Sequence, residues 1–171
     1  VGATTRIGST ALFVACQEGQ LECVRMLLGA RAAVNQARDD GVTPLFIACQ
    51  NGQLECVRLL LSASAAINQA KNDGATPLYV ACQKGQLECV RLLLAAYAAV
   101  NLVKDGGLTP LYKACHKGHL DIARLLLEAS AADDQASGRG WTPLHAACLE
   151  GHYAVVLSLL RAGADTAART S

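Results

Sequence analysis

The sequence predicts an all-α solenoid, a row of short helix pairs in which each pair serves as core for the next. Three observations carry the prediction. The triplet Thr43-Pro44-Leu45 returns as Thr76-Pro77-Leu78, Thr109-Pro110-Leu111 and Thr142-Pro143-Leu144, with a degenerate start at Thr10-Ala11-Leu12. Cysteine keeps the same step, with Cys16, Cys49, Cys82, Cys115 and Cys148 in one series and Cys23, Cys56 and Cys89 in another, 49 minus 16 being 33. Leucine and valine then recur at helical spacing in the second half of each unit. A fixed period of this length marks stacked supersecondary units, because a lone helix pair cannot bury its apolar face.

Cutting at the glycine before each triplet gives five units, 8–40, 41–73, 74–106, 107–139 and 140–171, the first and last acting as caps. A leader at 1–7 precedes them and is expected to be poorly ordered. Within a unit, threonine caps a first helix and proline occupies its first turn, where no amide hydrogen is missed. That helix runs from Pro44 to Asn51 in the second unit and stops at Gly52. A second helix follows from Leu54 to about Ala63, with Glu55 and Arg58 three apart on its wetter side. The polar connector from Asn68 to Gly74 has the Asn, Asp and Gly of a turn and predicts a β-hairpin-like finger between units.

Composition narrows the function. Charged residues are 17% of the chain and the formal net charge is +1, which excludes the basic field of a nucleic-acid binder or a membrane anchor. The longest nearly uninterrupted apolar stretch, Leu92 to Val100, is too short to span a bilayer, and the N-terminus lacks a signal-peptide core, so a cytoplasmic location is expected. Within each series the cysteines recur once per unit, and stacked helices lie about 10 Å apart, beyond disulfide reach. They are expected to be small buried hydrophobes.

The Thr-Pro-Leu triplet, the Ala-Cys pair after it, the Gly-x-Leu step and the Leu-Leu-Leu run, all in one register, resemble the ankyrin repeat family from about residue 8 onward. One departure is systematic. The resemblance places Gly-Ala-Asp after the second helix, yet four units read Arg31-Ala-Ala33, Ser64-Ala-Ala66, Tyr97-Ala-Ala99 and Ser130-Ala-Ala132, and only the last keeps Gly163. If those four residues adopt the left-handed cap conformation, each carries strain on the order of 1 kcal/mol. The change in step fits an engineered or library-derived array, or duplication of one drifted repeat.

No catalytic or cofactor chemistry emerges. Gly118 separates His116 from His119, and glutamine stands at the position of His119 and His152 in three other units, which argues against a metal site. Cys115 and His116 point about 100° apart on a helix, so they do not make a nucleophile and base. The chain is expected to be no enzyme and to need no cofactor or metal.

A binding surface remains. The resemblance implies that a partner docks on the finger tips and the exposed side of the first helices, on a concave face. Here those positions hold Asp39, Asp40, Val42, Gln50 and Asn51, then Asn72, Asp73, Gln83 and Lys84, then Leu108, His116 and Lys117, then Arg139, Trp141, His145, Leu149 and Glu150. They vary while their surroundings repeat. Trp141, the one tryptophan, is expected exposed, a type enriched at binding hot spots. Phe13, Phe46, Tyr79 and Tyr112 form an aromatic row suited to stacking within the array, with the hydroxyls of Tyr79 and Tyr112 within reach of a ligand. The expected function is a monomeric scaffold for a folded protein or peptide, with no nucleic acid or membrane involved. The alternative is a structural module with no selected partner.

Overall fold

The computed structural model describes residues 8–170, so the expectation for the 1–7 leader lies outside the described residues. Among these, ten helices follow in pairs: α1 Ala11–Glu18 and α2 Leu21–Gly29, α3 Pro44–Asn51 and α4 Leu54–Ser62, α5 Pro77–Lys84 and α6 Leu87–Ala95, α7 Pro110–His116 and α8 Leu120–Glu128, α9 Pro143–Leu149 and α10 Tyr153–Ala162. Each pair packs on itself and on the next pair, giving an all-α ankyrin-type solenoid.

Local chemistry starts and stops the first helices. The hydroxyls of Thr10, Thr43, Thr76 and Thr109 accept from the amide three residues on at 3.0–3.1 Å, and all four threonines are buried. At the other end, Gly19, Gly52 and Gly85 adopt φ of 70°, 71° and 75°. A second reason keeps them glycine. A Cβ on Gly19, Gly52, Gly85 or Gly118 lands 2.3–2.8 Å from the side chain of Gln53, Gln86, His119 or His152 in the following pair, whereas one on Gly151, at the end of the stack, meets nothing. Hence Gln and His exchange freely there: the position packs over a glycine.

Inside the stack the side chains form ladders. Leu12, Leu45, Leu78 and Leu111 make one, Val24, Val57 and Val90 another, and Leu60, Leu93, Leu126 and Leu159 a third, all almost fully buried. Full burial of such a side chain is worth roughly 1.5–3 kcal/mol. Ion pairs on the second helices, Arg58 Nε to Glu55 Oε1 and Arg91 Nε to Glu88 Oε1 at 3.3 Å, lie on the wet side and add little. First helices, rich in Ala and Cys, pack more extensively on one another than second helices do.

The fingers are hairpin-like turns without regular strands. Arg38 N donates to Val42 O, Lys71 N to Ala75 O, Lys104 N to Leu108 O and Ser137 N to Trp141 O, at 2.8–3.0 Å. Neighbouring fingers are joined by Asn72 N to Asp40 O, Asp105 N to Asp73 O and Gly138 N to Gly106 O. A further staple crosses each junction: the side-chain oxygens of Asn35, Asn68, Asn101 and Asp134 accept from the amides of Ala66, Ala99, Ala132 and Asp165 at 2.7–3.0 Å.

Two expectations change at this level. Cys23 and Cys148 are exposed rather than buried. Each belongs to an end unit, whose outer side has no described neighbour to cover it. The remaining cysteines are buried, and desolvation raises the thiols of Cys16 and Cys115 to about 12 and that of Cys89 to about 11. All eight are free thiols. The cap strain, by contrast, is present: Arg31, Ser64, Tyr97 and Ser130 sit at φ of 58°, 62°, 63° and 63°.

Candidate partner-binding groove

Fingers and first helices enclose two neighbouring depressions. One, of about 530 Å³, lies between α7, α9 and the last fingers, walled by Gly106, Leu108, Tyr112, His116, Ser137, Gly138, Arg139, Trp141 and Leu149. The other, of about 250 Å³, lies over α3 and α5 and is walled by Asp40, Val42, Gln50, Asp73, Tyr79, Gln83 and Lys84, together with Arg38, Phe46, Lys71, Ala75, Val80 and Lys104. Most of the positions expected from the sequence therefore meet in two places on one side of the stack.

They do not meet as equals. Val42 is only 4% exposed and Tyr79 only 2%, so these two form floor rather than contact surface. Val42 is covered because the finger folds its first residue after the glycine back onto the first helix, and Ala75 is buried likewise. Leu108 and Trp141, at the same repeat position, are half-buried, so Trp141 is less open than the sequence suggested. Its ring centroid lies 5.9 Å from that of His145, a tilted aromatic contact. His145 has a structural task as well: its Nδ1 accepts from Thr142 N at 3.3 Å while its own amide donates to Thr142 Oγ1 at 3.4 Å, closing a capping box at the start of α9. Leu149, by contrast, is 62% exposed, and it and Trp141 continue into a second opening of about 420 Å³ beside Leu144, His145 and Cys148.

The other expected residues lie around this groove. Asp39, Asn51, Asn72, Lys117 and Glu150 line neither depression. Asn72 Nδ2 donates to Asp39 O at 3.2 Å and Asn51 Nδ2 to Gln17 O at 2.9 Å, so both amides brace adjacent units. Glu150 Oε1 is 3.6 Å from His116 Nε2. Burial first, then Lys113, lowers the affinity of the His116 ring for a proton, against the pull of Glu150. Its Nδ1 is buried with no hydrogen-bond partner among the described residues.

Sequence reasoning passed over the finger bases. Arg38, Lys71 and Lys104 share one repeat position and line the second depression, where Arg38 Nε donates to Asp40 Oδ1 at 2.9 Å. That hydrogen bond holds the Asp40 carboxyl below the usual carboxylate range. The signal was a basic residue at a constant step of 33, one position outside those the family pattern favours. Among the described residues, no group of three His, Cys, Asp or Glu is placed to hold a metal, and no helix is long and apolar enough to cross a membrane.

The family model described as ankyrin repeats (3 copies) matches residues 12–105 and again 96–170. The chain belongs to the ankyrin repeat family. Ankyrin repeats are in general protein-interaction modules and typically non-enzymatic scaffolds. A search of the curated proteins returns no match.

Proposed function

We propose that this chain is a protein-binding scaffold that holds a peptide or an exposed segment of a folded protein in the groove between its fingers and first helices. One observation carries the reading. In an array whose units otherwise repeat, the cleft between α7 and α9 gathers Leu108, Tyr112, Trp141 and Leu149, residues that change from unit to unit and leave apolar surface uncovered. A concave apolar wall with a few polar groups is the usual form of an anchor site. The same cleft holds no activated nucleophile and no paired carboxylates, so the reading contains no catalytic step. The strained caps favour an engineered or library-derived origin for the array, because four sites change together while the core ladders stay intact.

A displayed random-peptide library selected on the full chain tests the proposal. Selected peptides are expected to lose binding to the triple variant Trp141→Ala, Tyr112→Ala, Lys84→Ala while its melting temperature stays near that of the parent. Peptides that bind parent and variant equally reject the groove. A library that yields no binder favours the partnerless structural module.

A further inference from the structure

Charges alternate along the finger bases. Arg38 pairs with Asp40, Lys71 Nζ lies 3.4 Å from Asp73 Oδ2, and Lys104 Nζ reaches back to the same oxygen at 3.3 Å. The cations stand one period apart at 38, 71 and 104, and the carboxylates at 40 and 73 predict a third at 106, where the chain has glycine. The place is open, since a Cβ on Gly106 meets no atom within 4 Å. Nor does the finger need the missing group. Asp40 and Asp73 accept from the amides of Val42 and Ala75, but the equivalent amide of Leu108 donates to Lys104 O at 3.3 Å.

Cations around that opening outnumber their partners. Lys113 occupies the position at which Ile47 and Val80 are buried, at 7% and 3% exposure. It is itself half-buried, and its ammonium makes no ion pair or hydrogen bond among the described residues. Burial, then the charges of Lys117 and Lys104, push its ammonium below the ordinary lysine range. Lys117 is exposed and equally without an ion pair among the described residues. Of the acids nearby, Asp73 is shared by two lysines, Glu150 lies against His116, and exposed Asp105 makes no ion pair among the described residues. A half-buried unpaired ammonium is unfavourable in the free protein and is relieved by an opposite charge brought from outside.

Lys71, Asp73, Val80 and Lys84 line one depression, and one period of 33 further on the same positions hold Lys104, Gly106, Lys113 and Lys117. From this register we propose that the opening beside Gly106 takes a side-chain carboxylate of an acidic peptide segment, in the place that Asp40 and Asp73 fill in the two preceding fingers. This deepens the groove reading and rests on it. Gly106 is also part of the wall of the Trp141 cleft, so the fitting ligand carries an apolar anchor with Asp or Glu close beside it. A carboxylate fits better than a nucleic-acid backbone because the net charge of the chain is only +1 and the cations form one local cluster.

The test uses the full chain and two fluorescein-labelled peptides, two leucines followed by four glutamates or by four glutamines, read by fluorescence anisotropy. The glutamate peptide is expected to bind about fivefold tighter or more. That advantage is expected to vanish in the double variant Lys113→Gln, Lys117→Gln and to survive in Arg58→Gln, Arg91→Gln, which removes the same charge from the second helices. Thermal melts check folding, and exposed Lys117→Gln alone supplies the readout if the double variant does not fold. Equal binding of the two peptides, no binding of the glutamate peptide, or loss of its advantage in the arginine variant overturns the proposal. So does an oligothymidylate that binds through the same two lysines more tightly than the glutamate peptide, which assigns the opening to phosphate. The wider groove reading is judged separately by the Trp141 variant and the library.

Discussion

Replacing Arg31, Ser64, Tyr97 and Ser130 by glycine should stabilise the fold, and the size of the gain follows from the backbone. All four hold φ between 58° and 63°. For a residue with a Cβ this conformation costs roughly 1–2 kcal/mol, because the Cβ crowds the following carbonyl. Glycine removes that crowding but gives the unfolded chain extra freedom, which offsets about 0.4–1 kcal/mol. The net is about 0.5–1 kcal/mol per site, or roughly 2–4 kcal/mol for four sites far enough apart to add. Tyr97 is the cleanest single site, since its side chain is 91% exposed and its removal forfeits little packing. At about 2–4 °C per kcal/mol for a chain of this size, the quadruple variant should melt roughly 5–15 °C higher. Guanidinium unfolding with a linear extrapolation, run beside calorimetry, measures it. Gly163→Ala, at φ 103°, should move the other way. An unchanged or lowered midpoint in the quadruple variant refutes the strain argument.

Two further outcomes follow from packing. Gly41 and Gly106 share nearly the same φ, 85° and 84°, but a Cβ on Gly41 lies 2.8 Å from Asn72 N in the next finger while one on Gly106 meets nothing. Gly41→Ala is therefore expected to lose about 1 kcal/mol or more beyond Gly106→Ala in denaturant melts, and equal losses would mean that the fingers part freely. In native protein, Cys23 and Cys148 should be alkylated by iodoacetamide within minutes, giving two labels by intact mass, whereas the six buried thiols react only on unfolding. Fast labelling of Cys49 or Cys82 would show that the stack opens locally.

The helices were legible residue by residue because their start and stop signals are local. Each threonine hydroxyl, first-turn proline and closing glycine acts on groups within four residues of itself, and the period of 33 announces that each unit leans on the next. The strain at Arg31, Ser64, Tyr97 and Ser130 was legible for the same reason, as a cap position with a side chain in it. The candidate groove was readable only in outline. Val42, Leu108 and Trp141 occupy one repeat position, yet Val42 is buried and the other two are half-exposed, a difference the repeat pattern does not announce.

Sequence by itself determined the repeated character of the array: the period of 33, the paired helices within a unit and the threonine caps that start each first helix. It could do so because those choices rest on hydrogen bonds and side-chain periodicity inside a single unit. Tertiary structure alone decided which thiols face water, which variable residues line a cleft and which are its floor, and that Lys113 is half-buried with no ion pair among the described residues while Lys104 reaches back to Asp73. Those properties belong to the spaces between units, and they exist only once the stack has formed.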